Sequence, residues 1–482
     1  MSVRTMETLA GGRWIGAGAW VDVFDPVDVR EPVVRVPALS ASAVTAIYEA
    51  AADGFAVWRR TPALERSKIL AKAASLLRVR AAEIALAVVT ENGKTLGEAR
   101  GEVEKSADFF EYYAGAGREP YGALLNDARP DTRTSYQREP IGVVLAITPW
   151  NDPLITPSRK LAPALAAGNA VVIKPAGETP ASTLCLARAL HDAGLPAGVL
   201  NVVTGRTSEI SGALLDDPRL AAVTFTGSNE VGDDLRARLA ARGVRFQGEL
   251  GGKNATVVLA DAQLDKAVAG VVAAAFGQAG QRCTATSRVL VERAVAGDFL
   301  ARLRERVAAL RLGPGREEGT SVGPLVSRGH RDSVLDDIAT AVKQGARVEL
   351  GGDAPAGALA HGCYVNPTIL TDVSPDMDVW REEVFGPVVA VRVVDGLDQA
   401  IAEVNDSRYG LAAAVFTTSL NAAHRFAGEV ECGQIAVNTT TSGWDVHQPF
   451  GGFRSSGSAF KEQGAEALRF YTRVKTVAIT FG

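Results

Sequence analysis

Cysteine is scarce in this chain, four in 482 residues, and none of Cys185, Cys283, Cys363 and Cys432 belongs to a C-x-x-C pair. That excludes a disulfide framework, fits a reducing compartment, and with no histidines at ligand spacing leaves no metal site to expect. Basic tracts are also missing. The 51 basic and 55 acidic residues give a formal charge of −4, so no nucleic-acid partner is expected. No apolar run approaches the ~18 residues a membrane span needs, and Met1 to Trp14 lacks a charged segment followed by an apolar one. The expectation is a cytoplasmic protein without membrane contact. No G-x-G-x-x-G follows the first strand of the α/β region, which counts against an ordinary Rossmann phosphate loop. The five histidines, His191, His330, His361, His424 and His447, form no Cys–His signature, which sets aside a cysteine hydrolase.

What is present suits a large globular enzyme, since 47% hydrophobic and 22% charged residues support sizeable cores and the length suggests about three domains. Residues 8 to 40 read as short irregular strands. Apolar spacings of three and four, as in Val44, Ile47, Ala51 and Phe55, predict long helices over residues 41 to 115. Residues 123 to 141, with Asn126-Asp127 and Pro130-Asp131 ahead of β-prone Thr132 to Gln137, read as a surface loop. Then apolar runs at Val143 to Ile147, Ala170 to Lys174, Val199 to Val203 and Ala221 to Thr226 alternate with helical stretches. That is the pattern of a doubly wound α/β domain. A second α/β region follows from Ala255 to about Val437, and Leu468 to Phe481 reads as a final strand.

The stretch that organises the chemistry is Phe276-Gly277-Gln278-Ala279-Gly280-Gln281-Arg282-Cys283-Thr284. A lone thiol is by default a small core side chain, so its neighbours in the sequence decide its meaning. Upstream stand Gly248-Glu249-Leu250-Gly251-Gly252-Lys253-Asn254 and Thr148-Pro149-Trp150-Asn151-Asp152-Pro153. With Phe225-Thr226-Gly227-Ser228, Glu383-Val384-Phe385-Gly386-Pro387 and Pro449-Phe450-Gly451-Gly452, in this order, the chain resembles the aldehyde dehydrogenase superfamily over nearly its whole length.

That resemblance implies an aldehyde dehydrogenase-like fold, with two doubly wound α/β domains and a small β oligomerisation element. Residues 1–122 and 142–250 would bind the dinucleotide, and 251–440 would carry the thiol. Residues 123–141, a hairpin in the family, would join 468–482 to pair subunits in a homodimer or homotetramer. It further implies NAD(P)-dependent oxidation of an aldehyde. Cys283 would be the nucleophile, Asn151 with the Cys283 N–H the oxyanion donor, and Glu249 the base that activates water. Thr148, Pro149, Trp150, Lys174, Gly177, Glu178, Gly227, Ser228, Gly251, Glu383 and Phe385 would hold the cofactor. Within that set, Gly227 and Ser228 at a helix start would meet the pyrophosphate, Lys174 the adenosine ribose, and Glu383 the nicotinamide ribose.

Departures from the family pattern concern specificity. Gly177 stands where many NAD-using relatives have a glutamate that repels a 2′-phosphate, so NADP is expected to serve at least comparably to NAD, unless Glu178 turns inward. Asp152 and Arg159 replace aromatic residues and make the tunnel more polar. The sequence around Cys283 is similar to 2,5-dioxopentanoate (α-ketoglutarate semialdehyde) dehydrogenases, and succinate semialdehyde enzymes share Arg282. A carboxylated semialdehyde is therefore expected, with Asp152, Arg159, Arg282, Thr284, Thr441, Ser442 and His447 around it and Arg159 gripping its carboxylate. The alternatives are a neutral, aromatic or amino aldehyde, or a CoA-acylating relative, against which Glu249 argues.

Overall fold

The computed structural model describes residues 3–16, 18–119 and 121–481; residues 1, 2 and 482, the outer ends of two expected ranges, lie outside them. The helical first part is built as its spacing predicts. Ala41–Trp58 starts at Ser40, whose hydroxyl accepts the Ala43 N–H, and it buries Val44, Ile47 and Ala51. Ala63–Val79 and Ala81–Asn92 follow. Leu96–Gly115 opens with a capping box in which Thr95 and Glu98 satisfy each other's backbone N–H groups.

Five parallel strands form the first large sheet, in the spatial order Leu200–Val202, Ala170–Lys174, Val143–Ile147, Leu220–Thr226, Arg245–Glu249. By chain position this is 3-2-1-4-5, the doubly wound order, with its reversal between the first and fourth strands. Both faces are covered. Val144 and Ala146 point into a core with Leu161, Leu165 and Leu186, while Val143 and Leu145 point into another with Ile47, Tyr48 and Ile210. A strand buried on both sides must be apolar throughout, which is why these runs do not alternate.

The second large sheet has seven strands: Arg347–Leu350, Thr368–Thr371, Val388–Val394, Thr286–Glu292, Asn254–Val258, Ala412–Phe416 and Gln434–Val437. Only the edge strand Arg347–Leu350 is antiparallel. Its strand order reverses between Asn254–Val258 and Ala412–Phe416, and the segments following Glu249 and preceding Thr286 lead into the amino ends of two neighbouring parallel strands.

A separate three-stranded antiparallel sheet joins Gly122–Leu125, Thr132–Pro140 and Thr472–Thr480. The expectation of strand from Leu468 is corrected at its start, because Gly464–Tyr471 is a helix. Ala467, Phe470 and Tyr471 are buried there, a three- and four-residue spacing that β-prone composition had hidden. Among the described residues no helix is long and apolar enough to cross a membrane.

One buried amide joins several of these pieces. Asn169 Oδ1 accepts from the N–H groups of Ile141 (2.8 Å) and Gly142 (3.1 Å), and its Nδ2 donates to the carbonyls of Ala164 (3.1 Å) and Tyr471 (2.9 Å). Asn169→Ala would leave those groups without their partner in a fully buried place. The expected loss is about 2–4 kcal/mol, read as a lowered denaturant midpoint with little change in slope.

Candidate active site

Cys283 lies between the helix Leu264–Phe276 and the strand Thr286–Glu292, after a turn in which Gln278, Ala279 and Gly280 have φ of 53°, 54° and 72°. Left-handed backbone at two non-glycine residues is costly. The segment presses so closely on Gly386 that a Cβ at Gly280 would fall 2.0 Å from its carbonyl oxygen. Two asparagines then fix the loop. Asn254 donates to the carbonyls of Cys283 (2.8 Å) and Ala285 (2.9 Å) and accepts from the Ala412 N–H. Asn151, in the turn after Val143–Ile147, donates to the Gln281 carbonyl at 3.0 Å. Burial pushes the partly buried Cys283 thiol well above its ordinary range; Asp152 adds to this and Arg159 opposes it. It therefore rests protonated.

Glu249 closes the edge strand of the five-stranded sheet, yet it is only 2% exposed. Its carboxylate accepts from Gln247 Nε2 (3.3 Å) and the Gly452 N–H (3.4 Å). Burial raises its pKa well above 4.5, and the neighbouring Glu462 carboxylate raises it further. Glu462 is itself buried. Burial pushes its own carboxyl up, but Lys160, which it binds closely, and Arg159, at 3.2 Å, outweigh that and hold it below its usual range. The two acids are thus pushed in opposite directions, Glu249 up and Glu462 down.

Three helix N-termini lie close to these residues. The N–H groups of Leu154 and Ile155 are taken by Glu102 (2.8 and 3.1 Å), and those of Ala181 and Ser182 by Glu91 (2.7 Å each). The third, at Asn229–Ala240, is capped by Ser228 through a long 3.5 Å bond, and among the described residues no carboxylate reaches it. It alone is free to meet a phosphate. Nearby, the buried Thr148 hydroxyl has no partner among the described residues, and burial lowers Lys174 to about 8, its ammonium donating to the Pro175 carbonyl. Glu383 is pushed by burial to about 7 and accepts from the Gly252 N–H at 3.0 Å. A Cβ at Gly251 would sit 2.4 Å from the Glu383 carboxylate. Phe385, at φ 56°, packs edge-on against Trp150, the ring centroids 5.4 Å apart. Pro149 lies in the turn between Thr148 and Trp150. Unsatisfied donors, an open helix start and an acid beside a side-chain-free backbone suit a dinucleotide.

The aldehyde dehydrogenase family model matches residues 14–477. The chain belongs to the aldehyde dehydrogenase family. It is 42% identical over 475 residues, 98% of each chain, to an α-ketoglutarate semialdehyde dehydrogenase of Haloferax volcanii. To a 2,5-dioxopentanoate dehydrogenase of Saccharolobus solfataricus it is 40% identical, over 96% of this chain and 97% of the other. Its fold matches a betaine aldehyde dehydrogenase of Staphylococcus aureus in complex with NAD+, with TM-score 0.96 at 31% identity, covering 98% of this chain and 95% of that one.

Beside the thiol of this aldehyde dehydrogenase is a pocket of about 380 Å³, walled by Cys283, Asp152, Arg159, Arg282, Thr284 and Ser442 among others. Thr284 and Ser442 share a hydroxyl contact of 2.8 Å. Two expected members are not there. Thr441 is fully buried and spends its hydroxyl on the Thr284 carbonyl at 2.6 Å, and His447 is exposed beside Asp445. Asp152 neither orients nor neutralises Arg159 by direct contact. It pairs with Lys94 at 2.8 Å; burial would raise it, but that partner outweighs burial and holds it at about 2. Arg159 pairs with Glu462 and lies over the Phe450 ring, 4.6 Å from its centroid. Gly177 and Glu178 are exposed in a cleft with Ser327 and Arg328.

Glu462, Lys160, Lys94, Glu102 and Asn254 escaped the sequence reading. Glu462 meets Arg159 and Lys160 across some three hundred residues, and no local pattern marks such a pair. Removing its charge has a signed consequence. In Glu462→Gln the anion that repels Glu249 is gone while Lys160 remains, so Glu249 should ionise at lower pH. The acid limb of the hydrolysis pH profile is expected to move to lower pH, and an unmoved limb would show that the two acids do not communicate.

Proposed function

We propose that this aldehyde dehydrogenase oxidises a short carboxylated semialdehyde of the 2,5-dioxopentanoate or succinate semialdehyde type to the dicarboxylic acid, using NADP at least comparably to NAD. The observation that carries the reading is the pair of guanidinium groups, Arg159 and Arg282, on the wall of the Cys283 pocket. The names of the full-length relatives agree with it. An amino aldehyde is disfavoured because Asp152, the acid that would have attracted it, is committed to Lys94.

In this reading the carboxylate docks on these guanidinium groups and brings the aldehyde carbon to Cys283. The thiol gives its proton to water and its sulfur bonds to that carbon as the carbonyl π bond opens, and the oxyanion formed is met by the Asn151 amide and the Cys283 N–H. A neutral amide suits this, since it stabilises charge without protonating it. Thr148, Lys174, Gly227, Ser228, Gly251, Glu383 and Phe385 would hold the dinucleotide, which when bound supplies a hydride acceptor. The acyl group is left on Cys283 as a thioester. Glu249, once ionised, takes a proton from water, whose oxygen attacks the thioester carbon. The C–S bond breaks and the acid departs, with the thiolate regenerated. This assigns residues 1–122 and 142–250 to dinucleotide binding and 251–440 to the thiol. The exposed Thr472–Thr480 strand and the sheet it completes would pair subunits in a homodimer or homotetramer.

The cofactor reading rests on Gly177. A Cβ there would meet nothing within 4 Å, so a 2′-phosphate would find no bulk at that place; Lys174 is the cation nearby and Glu178 the acid whose charge acts on it. Activity measured as nicotinamide reduction across carboxylated, neutral and cationic aldehydes tests substrate and cofactor together. The carboxylated semialdehyde should have the highest kcat/KM, and NAD should not exceed NADP by more than about a hundredfold, or ~2.7 kcal/mol. In Glu249→Gln, hydride transfer should survive and deacylation fail. Mass spectrometry should then find the acyl adduct on Cys283, and loss of hydride transfer with no adduct would place Glu249 earlier in the sequence.

A further inference from the structure

The two pocket arginines are not equivalent. Arg159 gives one arm to Glu462, so much of its charge is already answered inside the protein. Arg282 is held differently. Its Nε donates to Gln278 Oε1, Gln278 Nε2 donates to Asp152 Oδ1 at 3.0 Å, and Asp152 is paired with Lys94, which in turn pairs with the buried Glu102. This chain fixes the plane of the guanidinium from its back edge. Among the described residues neither Nη has a hydrogen-bond partner, and no carboxylate lies within ion-pairing distance. The fork is left free for a ligand.

Space for that fork comes from Gly277. A Cβ at 277 would lie 3.2 Å from Arg282 Nη1, 3.6 Å from Cζ and 3.8 Å from Nη2, so the guanidinium rests over the bare backbone of the glycine. The Gly277 backbone, at φ −58° and ψ 139°, is one any residue adopts. Its glycine is therefore explained by the arginine above it and not by the turn.

We propose that Arg282, seated over Gly277 and aimed by Gln278, is the residue that selects an anionic substrate, its two free Nη groups taking the carboxylate distal to the aldehyde in a bidentate grip. This rests on the carboxylated-semialdehyde reading. Arg159 then serves mainly to hold Glu462 and to line the wall with Phe450.

The test compares kcat/KM of the full-length enzyme for a carboxylated semialdehyde and for a neutral aldehyde of equal length, as a ratio. Arg282→Gln should lower that ratio roughly tenfold to 150-fold, mostly through KM for the carboxylated substrate. Arg282→Lys, which keeps charge but not the fork, should lower it less. Gly277→Ala should lower the ratio in the wild-type background and add nothing in the Arg282→Gln background, because its effect passes through the arginine. A wild-type ratio in Arg282→Gln or in Gly277→Ala, with the melting temperature retained, overturns the assignment. If Arg159→Gln alone removes the ratio, Arg159 is the selector and the semialdehyde reading survives. A wild-type enzyme indifferent to the carboxylate sinks that reading and this inference with it.

Discussion

Asn254 ties the catalytic loop to the sheet behind it. One side-chain amide, at the start of a central strand, donates to the carbonyls on both sides of Thr284 and accepts from Ala412 on the adjacent strand. Its position at a reversal of strand order is what makes this useful. There the neighbouring chains diverge and leave backbone groups without ladder partners, so an amide with donors and an acceptor can bind three segments at once. The left-handed turn before Cys283 and the contact of Gly280 with Gly386 are tolerated because this anchor over-determines the loop. Asn151 and Glu249 reach the same crevice from the ends of strands in the other sheet.

Buried carboxylates do two kinds of work around that crevice. Glu91 and Glu102 occupy helix N-termini, and in doing so they use up two places where an anion could have bound. Of the three termini near the crevice, the one at Ser228 is taken by neither of these carboxylates. Glu249 and Glu462 are set against each other instead. Two carboxylates in one apolar region do not both ionise readily, and two cations beside Glu462 decide which of them does. Burial thus acts in the same direction on Glu249 and on the Cys283 thiol, raising both.

Much of the architecture was legible in the chain. Val143 to Ile147 and Ala170 to Lys174 were read to the residue, because strands buried on both faces are apolar along nearly their whole length and are bounded by polar or glycine-bearing turns. The helix Pro180–Ala193 carries proline in its first turn and glycine just after its end, the usual punctuation of a helix. The final helix was missed. Gly464–Tyr471 has too few residues for a periodic pattern to outweigh the β-branched stretch after it, and its buried face is created by distant partners, such as Tyr113, whose hydroxyl meets the Gly464 carbonyl.

The candidate nucleophile, base and oxyanion donor were named from the sequence through a resemblance carried by short motifs, each a few residues long. By itself the sequence determined most of the strands and helices, the resemblance to the family and, through it, the candidate residues for the chemistry. Only the tertiary structure decided what charge each of them faces. It committed Asp152 to Lys94, gave Arg159 to Glu462, buried Thr441, left His447 in solvent and freed Arg282 over Gly277. Covalent geometry and apolar spacing act over a few residues and can be read in order along the chain. Electrostatic pairing acts through space between segments hundreds of positions apart, and burial, which sets its strength, exists only once the chain has folded.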